Sequence, residues 1–162
     1  MAQVDYFLKI DGLPGESTDD KHKGELDLES FSWGATNSGT AGKGGGSGSG
    51  KVQPADFHFT KRLDKSSPVL MIACATGQHF KEVTLTVRKA GGGQQEYLKF
   101  KMNEVLVSSY KTGGAGGTGG VVLEHVAMNF AKLEMSYKEQ KADGSLGGET
   151  KQGYDFAANK KV

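Results

Sequence analysis

The run Gly45-Gly46-Ser47-Gly48-Ser49-Gly50-Lys51 has the spacing of a loop whose backbone N–H groups cradle phosphates while its lysine meets the terminal one. The surrounding residues remove that reading. Val52 stands where a hydroxyl would hold magnesium, Pro54 follows where a helix would have to begin, and no buried strand precedes the glycines. With 25 glycines in 162 residues, composition alone produces such a spacing. The histidines His22, His58, His79 and His125 lie too far apart in sequence for two imidazoles to share a metal from one helix face or turn, so each is expected to be a surface or strand residue. Glu124 and His125 are neighbours, and on a strand that sends them to opposite faces, parting a would-be acid/base pair. Ser108 and Ser109 lie outside any G-x-S-x-G elbow and read as polar strand positions. Cys74, the single cysteine, sits in the apolar run Val69 to Ala75 and is expected to fill space. No catalytic set, cofactor site or metal site is expected, and the chain does not read as an enzyme.

Phe31 and Trp33 share one face of a strand. Exposed, such a pair would suit a sugar; packed, it suits a core, which uses the same spacing more often. The core reading turns Ser30 and Ser32 to the opposite face, towards solvent or a lumen. A secreted carbohydrate-binding β-sandwich, with Trp33, Tyr6 or Tyr97 on an exposed concave face, is the competing reading.

The elements that position these residues are mostly strands, because the dominant pattern is two-residue alternation. Val4, Tyr6, Leu8 and Ile10 alternate with Asp5 and Lys9, and the same alternation with polar residues holds for Phe57 and Phe59, for Val83, Leu85 and Val87, and for Leu98, Phe100 and Met102. Val122, Val126, Met128 and Phe130 share a face, and Tyr154 and Phe156 close the chain. The phase slips between Leu28 and Phe31 and again between Phe130 and Leu133. A bulge, one extra residue in a strand, is the expected cause, and bulges curve a sheet towards a closed barrel or sandwich. One segment departs from alternation: Ser67 suits a cap, Pro68 a first helical turn and Gly77 a left-handed exit, predicting a short helix over 67–76. Being apolar nearly all round, it is expected to be largely buried, plugging a barrel end. The glycines gather in Gly34 to Lys51, Gly91 to Gly93 and Thr112 to Gly120; the stretches 36–51 and 112–120 are expected to be loops, the first mobile.

The length suits one domain over 1–162. Twenty basic against nineteen acidic residues give a formal charge of +1, which provides no field to recruit nucleic acid. No apolar run approaches the roughly 20 residues of a membrane span, and the N-terminus lacks the basic, apolar and cleavage regions of a secretory signal. Synthesis in the cytoplasm is expected.

Several strings taken in order resemble the hemolysin-coregulated protein (Hcp) family across nearly the whole chain. They are Phe7-Leu8-Lys9-Ile10-Asp11-Gly12, Gly15-Glu16-Ser17, His22-Lys23-Gly24-Glu25-Leu26 and Ser30-Phe31-Ser32-Trp33-Gly34. Further on come Asp64-Lys65-Ser66-Ser67-Pro68-Val69-Leu70-Met71-Ile72-Ala73-Cys74, Leu85-Thr86-Val87-Arg88-Lys89-Ala90-Gly91, Glu96-Tyr97-Leu98, Val105-Leu106-Val107-Ser108-Ser109-Tyr110, Asn129-Phe130-Ala131 and Lys141-Ala142-Asp143-Gly144. The resemblance implies a mainly β, small closed barrel or sandwich of antiparallel strands with one short helix. It also implies homohexameric rings stacked into the tube of a type VI secretion system. Such a tube is expelled with a valine-glycine-repeat spike protein inside a contractile sheath, and it carries or shelters effector proteins in its lumen. Secretion then runs through that system. By the same resemblance Ser32, joined by Ser30 through alternation, faces the lumen and its cargo. The long loop, with Lys43, Gly44, Gly45, Gly46 and Lys51, occupies the place of the one that bridges stacked rings.

Overall fold

Alternation becomes burial at once in the computed structural model, which describes residues 4–39, 51–89, 93–117 and 119–162. Leu8 and Ile10 of strand β1 (Val4–Ile10) point into the core, while Lys9 between them is exposed. Ten further strands follow among the described residues: β2 (Leu26–Leu28), β3 (Ser30–Ser32), β4 (Ala35–Asn37), β5 (Val52–Pro54), β6 (Phe57–Arg62), β7 (His79–Lys89), β8 (Glu96–Gly113), β9 (Leu123–Gln140), β10 (Leu146–Asp155) and β11 (Lys160–Lys161). One helix, α1 (Ser67–Thr76), lies between β6 and β7. The fold is mainly β, every ladder is antiparallel, and the helix sits where Pro68 and Gly77 predict it.

The main sheet runs β11-β10-β9-β8-β7-β1-β2, and β9 also pairs with β6, which pairs with β3. The ladder does not run full circle by hydrogen bonds alone. Instead the chain passes from β2 to β3 through Glu29, whose N–H donates to Thr60 O of β6 at 2.7 Å, and this joint completes the circuit. The phase slip at Leu28 to Phe31 is therefore a change of partner strand rather than a bulge. The slip at Phe130 to Leu133 is not a bulge either. The β8–β9 register is the same on both sides of it, Val105 opposite Phe130 and Asn103 opposite Lys132. On β8 the backbone enters the left-handed region at Glu104, φ 53. True register shifts fall elsewhere, between Val107 and Ser109 on β8 and between Val87 and Arg88 on β7.

Inside the circuit Leu8, Leu26, Phe57, Phe59, Val83, Leu85, Met102, Val107, Val126 and Met128 form one continuous core. Each such buried side chain contributes about 1.5–3 kcal/mol relative to exposure. Leu70 and Ala73 bring one stripe of α1 into this core, but Val69, Met71 and Ile72 stay about half exposed. The expectation of a buried plug is thus corrected: α1 lies over the barrel with an apolar outer face. Ser66, not Ser67, occupies the N-cap, with no side-chain capping bond, while Gly77 makes the left-handed exit at φ 68. Val122 precedes β9 and is exposed rather than on its core face.

Two loop expectations are refined. Ala35–Asn37 pairs with Val52–Pro54 in a separate two-stranded ribbon, so the base of the 36–51 stretch is ordered by a ladder. Lys43, Gly44, Gly45 and Gly46 lie outside the described residues, and Lys51 is exposed just before β5. In the 112–120 stretch, Thr112 and Gly113 belong to β8, opposite Glu124 and Leu123.

Candidate functional site

The outward side of β3, β6, β9 and β8 is a polar surface laid out in two cross-strand rows. Ser30 lies opposite Thr60, Thr60 opposite His125, and His125 opposite Lys111. Ser32 lies opposite His58, His58 opposite Ala127, and Ala127 opposite Ser109. Ser30, Ser32, His58, His125 and Lys111 are exposed. Thr60 Oγ1 is 3.1 Å from His125 Nδ1, a contact that orients the exposed imidazole. Beside the rows, Asp56 accepts hydrogen bonds from Ser108 (2.6 Å) and Asn129 (3.3 Å). Two serines named from the sequence therefore share a face with two histidines and a lysine that sequence reading left scattered. The signal lay in strand register, which alternation alone cannot supply.

Phe31 and Trp33 occupy the inward side, as the core reading requires. Phe31 meets Tyr6, Phe57 and Phe100, and Trp33 meets Phe100, Phe130 and Phe156. Trp33 and Tyr6, both packed against the core, are not available as the exposed platform a sugar would need. Trp33 Nε1 is buried without a hydrogen-bond partner among the described residues.

Beneath the polar face the same strands bury an ion pair. Lys61 of β6 and Glu124 of β9 are in register, both fully buried, and their side chains meet. Lys61 Nζ also donates to Asp64 Oδ1 at 2.8 Å and to Ser67 Oγ at 3.3 Å. Ser67 donates to Glu124 at 2.9 Å, and the Tyr110 hydroxyl donates to its other oxygen at 2.5 Å. Burial and the Glu124 carboxylate push the Tyr110 hydroxyl up to about 12. Burial alone would raise Asp64, but hydrogen bonds from Lys61 and Ser66 outweigh it and hold the carboxyl below its ordinary value. The network ties the first turn of α1 to β6, β8 and β9, and so fixes the sheet carrying the exposed rows. Glu124 and His125 do point to opposite faces, as expected.

A second cluster lies on the outer face of β1 and β7. Phe7 is buried there, flat against His22 with ring centroids 4.3 Å apart, and the Arg88 guanidinium stands 4.7 Å from its centre. Arg88 is 2% exposed and binds Asp19 (2.6 and 3.0 Å) and Asp5 (3.0 Å). Its hydrogen bond holds the Asp19 carboxyl down to about 2. His22 is buried rather than at the surface, which corrects the sequence expectation. Among the described residues no group of three His, Cys, Asp or Glu side chains is arranged to hold a metal ion, and no helix is long and apolar enough to cross a membrane.

The sequence profile described as "Type VI secretion system effector, Hcp" matches residues 7–137. The curated protein hcp1 of Pseudomonas aeruginosa is 48% identical over 158 residues, spanning 96% of this chain and 97% of that one. This chain belongs to the Hcp family. Among solved structures, Hcp1 from Salmonella typhimurium is 36% identical, with a TM-score of 0.84 and full coverage of both chains. A structure described as a type six secretion system protein reaches a TM-score of 0.93 at 32% identity, covering 99% of this chain and all of the other. The molecule is accordingly an Hcp tube subunit of the type VI secretion system, a secreted structural component of a non-enzymatic family.

Proposed function

We propose that six copies of this Hcp chain meet side by side to enclose a lumen, and that the face carrying Ser30, Ser32, His58, Thr60, Ser109, Lys111 and His125 lines it. The observation that carries this reading is the pair of cross-strand rows, in which Ser30, Ser32, His58, Lys111 and His125 are exposed and which the Lys61–Glu124 network holds from below. Hydroxyls, imidazoles and one ammonium on a single surface favour cargo segments that offer carbonyl or carboxylate acceptors. The apolar outer face of α1, with Val69, Met71 and Ile72, supports association, since such surface on an isolated subunit is what a neighbour would cover. The segment with Lys43, Gly44, Gly45, Gly46 and Lys51 is assigned to contact between stacked rings. The spike protein, the contractile sheath proteins and secreted effector proteins are the partners in this reading.

Native mass spectrometry tests the ring: a species near six times 17.2 kDa is expected, and a monomer at high concentration refutes it. Ser32→Gln tests the facing. It keeps the assembly and changes the amount of effector that co-purifies, because a lumen admits a longer polar side chain where a core does not. An unfolded variant, or one whose effector retention is unchanged, overturns the assignment.

A further inference from the structure

His22 makes two contacts that a neutral imidazole cannot make together. Its Nδ1 is 2.8 Å from Glu25 Oε2 and its Nε2 is 2.5 Å from Glu96 Oε1. A neutral ring carries one N–H, so one of these contacts would set a ring lone pair against a carboxylate; the ring with both nitrogens protonated donates to each. The two carboxylates belong to different parts of the chain. Glu25 ends the 11–25 segment, which crosses the outside of the barrel between β1 and β2, and Glu96 opens β8. We propose that His22 is a proton-operated latch: with a proton on each nitrogen it pins the 11–25 segment to β8 over Phe7, and loss of one proton releases that end of the segment.

The surroundings make the release local. From β1 the charged groups are Asp5 and Lys9, from β2 Asp27, opposite Phe7, from β7 Lys81, Glu82 and Arg88, and from β8 Glu96 and Lys99. The segment itself contributes Asp11, Asp19 and Glu25. Lys99 stands 3.4 Å from Glu96, leaving that carboxylate a partner when His22 departs. Burial would raise Glu96, but the hydrogen bond from His22 and the charge of Lys99 together hold it below its ordinary value. The segment is also held by Glu16, which accepts from Lys65 N–H at 2.7 Å, and by Asp19 on Arg88, a pair that keeps its charges across the range in which histidines titrate because the Asp19 carboxyl is held down to about 2. A cleft of about 500 Å³, lined by Lys9, Asp11, His22, Glu25, Lys81 and Glu82 among others, brings solvent to the ring, so protons can reach and leave it without unfolding the barrel.

The proton balance sets the measurable slope. The latched state holds one proton more than a released segment with a neutral ring and two carboxylates. Opening therefore becomes more favourable as pH rises, by at most tenfold per pH unit. Amide hydrogen exchange on the native assembly, corrected for intrinsic rates, reads this over roughly pH 5 to pH 8, where histidines change charge. Peptides covering 16–25 are expected to gain opening with pH at a slope approaching one proton, while β9 peptides stay flat. His22→Gln is expected to open the segment at every pH and abolish the slope. Glu96→Gln, whose amide can donate to a neutral ring, is expected to keep the segment closed at the alkaline end. A flat response in the unaltered protein, or a slope that survives His22→Gln, overturns the proposal; so does an unchanged slope in Glu96→Gln.

Discussion

Lys61→Met takes the ammonium from a pair whose partners are both fully buried. The Glu124 carboxylate would then keep only the Ser67 hydroxyl at 2.9 Å and the Tyr110 hydroxyl at 2.5 Å. An uncompensated buried charge costs about 3–5 kcal/mol. The lost bonds to Asp64 and Ser67 are part of the same removal and are not added separately. For a domain of this length each kcal/mol lowers Tm by about 2–4 °C, so a fall of about 6–20 °C is expected. Lys61→Met combined with Glu124→Gln removes the stranded charge while preserving an acceptor for Tyr110, and is expected to recover to within about 2 kcal/mol of the starting chain. Thermal and urea unfolding followed by circular dichroism measure both, at one fixed subunit concentration because assembly raises apparent stability. A single-variant cost below about 1 kcal/mol, or a double variant no more stable than the single, would refute the view that a dry charge pair anchors α1 to the sheet.

Two further outcomes are expected. Asp19→Asn destabilises the protein at neutral pH; because Arg88 holds the Asp19 carboxyl at about 2 when folded, the difference from the unaltered chain is present above the ordinary Asp value and vanishes as pH falls through about 2, which acid unfolding curves read directly. Gly77→Ala costs about 1–2 kcal/mol in urea unfolding because the helix exit at φ 68 disfavours a Cβ, whereas Gly34→Ala, with open space and no left-handed backbone, stays within about 0.5 kcal/mol.

Much of the fold was legible because it is local. Leu8 and Ile10, Phe57 and Phe59, and Val83 to Val87 declare their strands through alternation, and Pro68 with Gly77 brackets the helix within the chain itself. The errors came where a residue's surroundings are set at long range. Nothing near Glu29 announces that β2 and β3 serve different partners, and the left-handed backbone of Glu104 on β8 cannot be read from β9, where the change of phase looks like an inserted residue. Apolar composition misjudged α1, because Val69, Met71 and Ile72 are as hydrophobic as Leu70 yet only the Leu70 and Ala73 stripe meets the core. The candidate site was half visible. Ser30 and Ser32 follow from Phe31 and Trp33 facing inward, but His58, His125 and Lys111 join them only through pairing across 65 or fewer residues of intervening chain. His22 had no signal for burial, since Glu96 is 74 residues away.

The joint at Glu29 constrains more than closure. Because one backbone segment is shared by the β1–β2 ladder and the β3–β6 ladder, sliding either by a residue would drag the other out of alignment and swap inward for outward side chains on both. Alignment errors are thus penalised twice, once on each flank of a single covalent stitch. A subunit built this way arrives at assembly with its polar rows already at fixed height, so that copies stacked around an axis would carry matching bands rather than a ragged lining.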